Sequence, residues 1–146
     1  MRERGYEKHY LGIVHGVLTP SAGEISLPIA RKEGSIIERV IDDAGAQSLT
    51  LYQTIQENQE ASVVRFQIVT GRTHQIRVHC MAVGHPLLGD TLYGKIPTGL
   101  IDRQALHSHT VTFTHPESGQ RTTIKAPVPE DMQRALSALN LSNPDI

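Results

Sequence analysis

The stretch SLTLYQTIQENQEASVVRFQIVT, residues 48–70, decides the fold because it follows a two-residue period through two strand-length halves. Every second side chain of a strand points to the same face, and residues 48–56 and 62–70 both alternate with that period. The polar residues 58–60, Asn-Gln-Glu, lie between the two halves. The sequence therefore predicts a long β-hairpin.

Shorter elements are predicted upstream of the hairpin. Residues 10–18 have the composition of a strand, and a turn rich in Pro, Ser and Gly ends it. A short apolar segment follows at 25–29, where Pro28 is typical of an edge strand or an irregular segment. The polar stretch that leads into the hairpin predicts turns at Gly34 and Gly45.

A helix is predicted directly after the hairpin. It covers residues 74–83, with Thr73 as its N-cap and Gly84 at C′, where a left-handed glycine commonly stops a helix. The remaining predicted elements are strands over 105–114 and 120–126, joined by a turn at 115–119, and a helix over 130–139.

The size and composition of the chain point to one α+β domain, a mostly antiparallel β-sheet with a few helices. The 146 residues contain no repeat or linker and are enough to bury a core. No apolar run is long enough to span a bilayer, and the charged start MRERGYEKHY lacks the apolar core of a secretory signal, so we expect no membrane partner. Cys80 is the only cysteine, which excludes an internal disulfide and suits a cytoplasmic protein.

Residues 70–94, TGRTHQIRVHCMAVGHPLLGDTLYG, carry most of the functional information. Arginine suits phosphates and carboxylates because its planar fork donates two hydrogen bonds and keeps its charge. Arg72 and Arg77 are five residues apart at a helix start, so one can face a phosphate while the other points into a cleft toward a carboxylate. A solvated helix face with ordinary ion pairs explains them equally well. Because the formal net charge is −1, nucleic-acid affinity would need a local basic patch, for which the candidates are Arg65, Arg72, Arg77, Lys95 and Arg103.

Other chemistries are disfavoured by spacing. His74 and His79 are five residues apart, whereas a zinc-binding helical pair uses a spacing of four, so we expect no metal site. Cys80 lies among apolar residues and is predicted to be buried rather than nucleophilic. The glycines at 89–99 do not match a nucleotide-triphosphate loop, and no serine has a nucleophile-elbow setting.

The 70–94 stretch also resembles the C-terminal signature of RluA-type pseudouridine synthases, the enzymes that isomerise uridine in structured RNA. The likeness extends over most of the chain and keeps the family's order. The similar segments are Lys8-His9-Tyr10, Gly23 to Ile29 with Arg31, Thr50-x-Tyr52, Gly84-His85-Pro86, Gly89-Asp90, Tyr93-Gly94, Arg103 to His107, His115-Pro116 with Gly119, and Ala126-Pro127.

The resemblance implies roles for five residues, without a metal or organic cofactor. Tyr10 would be the active-site tyrosine that stacks beside the target uracil, and a candidate for proton removal. Arg77 would pair with the catalytic carboxylate, while Arg72, His74 and Gln75 would line the cleft or contact RNA. A strand tyrosine that simply packs in the core is the alternative for Tyr10.

The chain departs from the family at the nucleophile. The family's catalytic aspartate lies in an Arg-Leu-Asp-x-x-Thr-Ser-Gly segment before the Lys-x-Tyr strand, whereas only seven residues precede Lys8 here and none is Asp. We therefore expect residues 1–146 to be the C-terminal portion of a synthase catalytic domain, with Arg77 unpaired. On this interpretation the chain alone is inactive.

Three functions remain open at this point. The first is a pseudouridine synthase domain acting on uridine in rRNA or tRNA, here without its N-terminal half. The second is a catalytically silent RNA-binding module, and the third is a structural remnant. We expect RNA as the partner in the first two cases, together with self-association or pairing with the N-terminal half through exposed strand edges.

Overall fold

A six-stranded antiparallel sheet forms the frame of the protein. The computed structural model of the chain describes residues 6–144. The expectation about a secretory signal rests partly on residues 1–5, which lie outside this range. No helix within that range is long and apolar enough to cross a membrane. The elements are β1 (Glu7–His15), β2 (Ala22–Ser26), β3 (Ile29–Arg31), β4 (Arg39–Ile41), β5 (Leu49–Glu57), β6 (Ala61–Ile68), α1 (Gln75–Ala82), β7 (Leu106–Thr114), β8 (Arg121–Lys125) and α2 (Glu130–Ala138).

The strand order of the large sheet is β2-β5-β6-β1-β7-β8, and all of its neighbours are antiparallel. The predicted hairpin is confirmed as β5 and β6, with Tyr52 opposite Phe66 in the register. The α+β fold class is confirmed as well. β1 lies inside the sheet between β6 and β7, which places its residues at the centre of the molecule.

The upstream elements differ from the prediction. The first strand lies three residues earlier than predicted and ends at His15, because Gly16 adopts a left-handed φ of 79°. The polar stretch before the hairpin forms a second, two-stranded sheet from β3 and β4, which the sequence did not predict. This small sheet is buried largely against α1 and the segment after it, since Ile29 of β3 packs with Val78 and Tyr93. Alternation within three-residue strands is too short to be recognised.

Helices cover part of both faces of the sheet. α2 packs Met132 and Leu136 against Leu11 and Val63 on one face. α1 covers the other face, where Ile76 and Cys80 join a cluster that includes Val14, Val64, Phe66 and the partly buried Tyr10. Cys80 is 2% exposed, which confirms its prediction as a buried residue. Tyr10 of β1 and Ile76 of α1 therefore belong to one apolar cluster.

The start of α1 corrects the predicted N-cap. His74, not Thr73, occupies the N-cap position, with a left-handed φ of 56° and no side-chain capping bond. The side chain of Gln75 accepts a hydrogen bond from the Arg72 amide at 3.0 Å, so it satisfies a backbone donor beside the helix start. The predicted stop is confirmed, because Gly84 follows the C-cap with a φ of 86°.

Candidate active site

The start of α1, the end of β6 and strands β1 and β7 enclose a cavity of about 310 Å³. All five residues that the sequence singled out for function line it. A volume near 300 Å³ lies at the small end of the range for ligand-binding clefts, roughly 300–1,000 Å³. The lining residues are Tyr10, Ile68, Arg72, His74, Gln75, Ile76, Arg77, Gln104 and Leu106.

Tyr10 forms part of the cavity wall from β1. The register between β1 and β7 shifts between His9 and Tyr10. The ring of Tyr10 packs against the cluster under α1, and Tyr10 also borders the cavity, while its role beside a uracil stays a prediction. Burial raises the pKa of its phenol, opposed by a hydrogen bond with the Ser108 side chain. Tyr10 is therefore protonated at neutral pH, and its ring offers an aromatic surface to the cavity.

Arg77 has a carboxylate partner, which corrects the expectation of an unpaired charge. Its Nε donates to Oδ2 of Asp90 at 2.9 Å, and its Nη2 donates to Oδ1 at 3.0 Å. The side chains are 15% and 1% exposed, so this is a bidentate and largely buried ion pair. One arginine of the Arg72–Arg77 pair therefore meets a carboxylate, which was one of the two alternatives that the sequence left open, and that carboxylate comes from this chain.

The turn after α1 holds Asp90 in place. Oδ1 of Asp90 also accepts the amide hydrogens of Leu92 and Tyr93, each at 3.1 Å. Gly89 adopts a φ of 75°, and a Cβ at this position would overlap the Arg103 carbonyl. Glycine is required here by both the backbone conformation and the close approach, so the Gly-Asp pair sets the position of the carboxylate.

His74 and Tyr93 form a second contact next to the ion pair. Nδ1 of His74 lies 2.6 Å from the Tyr93 hydroxyl, which also accepts the amide hydrogen of Arg39 at 3.0 Å. Burial, followed by the positive charge of Arg77, lowers the pKa of His74 and so favours its neutral ring, and the tautomer of that ring sets which partner of the His74–Tyr93 bond donates. The guanidinium of Arg77 lies 5.1 Å from the centre of the Tyr93 ring.

Gln75 is buried and fully engaged within the protein. Its Nε2 donates to the Leu49 carbonyl and to Oγ1 of Thr50, both at 2.9 Å. Its Oε1 accepts from Oγ1 of Thr70 at 2.7 Å and from the Arg72 amide. The side chain therefore ties the helix start to β5, and a contact with RNA stays a prediction that would require these bonds to break.

Arg72 lies at the exposed rim of the cavity. Its Nε and Nη2 donate to the Gln47 carbonyl at 3.0 and 2.8 Å. A carbonyl orients the guanidinium without cancelling its charge, and within residues 6–144 no carboxylate forms a salt bridge with Arg72. This is the geometry of an oriented cation that a phosphate can approach.

The other members of the predicted basic patch do not converge on this cavity. Arg65 lies in the sheet, where its Nε donates to Nδ1 of His9 at 3.0 Å. Arg103 pairs with Asp131 through two bonds at 2.8 and 3.0 Å. Only Arg72 and Arg77 of the five candidates line the cavity.

Several site residues were not singled out from the sequence. Gln104 and Leu106 were matched only as part of a longer pattern, and Asp90 and Tyr93 only as neighbours of glycines. Such residues carry no local signal, because only the tertiary structure brings them to the cavity or to Arg77. In the range 6–144 no group of three or more His, Cys, Asp or Glu is arranged to hold a metal ion.

Comparisons with known proteins identify the family. Residues 1–82 match the family model described as RNA pseudouridylate synthase. The chain belongs to this family, and its matches support the RluA-type assignment. A Bacillus subtilis relative, an uncharacterised RNA pseudouridine synthase called YjbO, is 40% identical over 134 residues, which are 92% of this chain and 47% of the relative.

Two further matches agree with the family and the fold. The ribosomal large subunit pseudouridine synthase D of Xanthomonas campestris is 38% identical over 149 residues, covering 93% of this chain and 45% of that protein. The solved structure of human RNA pseudouridylate synthase domain containing 4 superposes with a TM-score of 0.79 at 23% identity, covering 99% of this chain and 66% of that chain. The chain thus spans about half the length of the curated relatives.

Proposed function

We propose that this chain supplies one wall of the catalytic cleft of an enzyme that isomerises uridine to pseudouridine in RNA. The observation that carries the proposal is the single cavity of about 310 Å³ that gathers Tyr10, Arg72, His74, Gln75 and Arg77. These residues come from two distant parts of the sequence, so their convergence is a property of the fold.

The cavity offers separate surfaces for a base and a backbone. The Tyr10 ring, with the apolar side chains of Ile76 and Leu106, provides a surface on which a planar pyrimidine can stack. Arg72 carries an unneutralised charge at the rim, where a phosphate of the same nucleotide chain can reach it. The substrate is an extruded uridine in this arrangement, since a base stacked within a helix could not enter.

The nucleophile of the reaction is proposed to come from outside this chain. None of the nine residues that line the cavity is acidic. The nearby carboxylate of Asp90 is 1% exposed and already accepts bonds from Arg77 and two backbone amides, so it is poorly placed to attack a base. The family resemblance assigns the nucleophile to an aspartate that precedes the Lys-x-Tyr strand, and this chain has no aspartate before Lys8.

Tritium release tests this function. RNA labelled at uridine C5 is incubated with the purified chain, with the Asp90→Asn variant, and with the chain plus the N-terminal half of the Bacillus subtilis relative supplied in trans. We expect no release from the chain alone and release only with the added half. Release by the chain alone would refute the proposal, and loss of that release in Asp90→Asn would then implicate the Asp90–Arg77 pair without identifying the nucleophile.

A large-subunit ribosomal RNA is the substrate that we propose to test first, because of the name of the Xanthomonas campestris relative. RNA-binding without catalysis is the second candidate, and the exposed Arg72 favours it. It would be supported if the chain binds RNA tightly in a salt-dependent manner while the combined halves still release no tritium.

A further inference from the structure

Arg77 is held from two directions by side chains of the segment after α1. One edge of its guanidinium, Nε with Nη2, faces the carboxylate of Asp90. The Cζ atom of the same group lies over the Tyr93 ring, 5.1 Å from its centre. A guanidinium has five N–H donors, and within the part of the chain that the structure describes Nη1 has no hydrogen-bond partner.

This arrangement leaves a defined set of donors for a ligand. The Asp90 carboxylate uses one N–H of Nε and one of Nη2. The second N–H of Nη2 and both of Nη1 remain, and the second N–H of Nη2 forms the other fork of the guanidinium with one N–H of Nη1. Because Arg77 lines the cavity, this fork is the part of the residue that a bound group can use.

We infer that Asp90 and Tyr93 are positioning residues that fix the guanidinium of Arg77 and present its free fork to the cavity. The inference rests on the proposed function for its purpose but concerns contacts within this chain. Asp90 also cancels the charge of Arg77, so the pair contributes orientation rather than net attraction to the cavity. Tyr93 is itself fixed, because its hydroxyl bonds both His74 and the amide of Arg39.

The β3–β4 sheet takes part in this positioning through its backbone. Arg39 is the first residue of β4, and its amide is a donor to the Tyr93 hydroxyl. Tyr93 in turn packs with Ile29 of β3 and Val78 of α1. The β3–β4 sheet therefore helps to fix the Tyr93 ring that Arg77 contacts.

Side-chain NMR of the purified chain tests the inference without RNA. The Nε–H signal of Arg77, assigned by its loss in Arg77→Lys, reports how firmly the guanidinium is held through its exchange rate with water. In the unmodified protein we expect the Nε–H of Arg77 to exchange with water at least about tenfold more slowly than the Nε–H of Arg134. A factor of about ten corresponds to the low end of the free energy of a hydrogen bond to a charged group. The Arg134 side chain is 71% exposed.

Two variants and a matched control complete the test. Asp90→Asn keeps one oxygen for the turn amides but removes the charge, and it should accelerate Arg77 exchange about tenfold or more. Asp131→Asn removes the carboxylate from the equivalent bidentate pair with Arg103 and should leave Arg77 unchanged. Tyr93→Leu removes the ring and tests the second contact if Asp90→Asn does not fold.

Each outcome decides the inference independently of the proposed function. Fast exchange of Arg77 in the unmodified protein would overturn it, and so would slow exchange that persists in a folded Asp90→Asn or Tyr93→Leu variant. Slow exchange that both variants abolish supports it. If that result is obtained and the combined halves release no tritium from RNA, the positioning stands and only the proposed function fails.

Discussion

Truncation of Arg77 to alanine should markedly destabilise the protein. The sequence led to the expectation of an unpaired Arg77, and the removal of an unpaired charge from a cleft would cost no stability. In the structure, Arg77→Ala removes both bonds to Asp90 and leaves a carboxylate that is 1% exposed. It also removes the contact with the Tyr93 ring.

The expected loss in the free energy of unfolding follows from the burial of the pair. Breaking a buried ion pair by removing one partner costs about 3–5 kcal/mol, because an uncompensated charge remains inside. The amides of Leu92 and Tyr93 still donate to Asp90 and reduce that penalty. We therefore expect a loss of about 3 kcal/mol, a large part of the roughly 5–15 kcal/mol of a typical domain.

Urea unfolding followed by circular dichroism measures this loss, since the chain has no tryptophan for fluorescence. Asp90→Asn in the Arg77→Ala background removes the stranded charge and should recover part of the loss, which a double-mutant cycle quantifies. Arg134→Ala is the matched control, because Arg134 and Glu130 form an exposed pair at 3.8 Å, and it should change stability by less than about 0.5 kcal/mol. A loss in Arg77→Ala no larger than in Arg134→Ala would refute the reasoning.

Three further predictions concern pH, RNA and association. Burial lowers the pKa of four histidines below the ordinary value of 6.5, namely His79, His15, His9 and His74. The folded protein therefore favours their neutral forms, so this contribution to stability is fully present above pH 6.5 and is lost as the pH falls below it. The urea midpoint should therefore drop between about pH 7.5 and about pH 5.5, less steeply in His79→Gln, and an unchanged midpoint would contradict this. RNA binding should weaken as salt rises, and Arg72→Ala should reduce the slope of log K against log salt concentration by about one unit. If only Arg77→Ala changed this slope, Arg77 and not Arg72 would be the phosphate contact. The isolated chain should self-associate through the edges of its sheet, where β8 exposes Ile124 at 59%, and light scattering from a stable monomer would count against this.

Local patterning determined most of the sheet and both helices. The hairpin of β5 and β6 follows from alternation over nine and eight residues, and the end of α1 follows from a glycine that readily adopts a left-handed φ. The functional stretch around Arg72 and Arg77 was also evident from residue types alone. These features depend on contacts or conformations within a few residues, which sequence periodicity reports directly.

Long-range contacts decided the rest. The β3–β4 sheet is stabilised by packing on α1 and Tyr93, and its three-residue strands are too short to carry a periodic signal of their own. The partner of Arg77 lies 13 residues away at a turn whose course depends on the close approach of Gly89 to Arg103. Gln75 looks like a surface ligand in sequence but is buried because Thr50 and Leu49 meet it from β5. The sequence determined which chemical groups are present. Only the tertiary structure decided which of these groups pair with one another and which face the cavity, because both depend on distances between segments that are far apart in the chain.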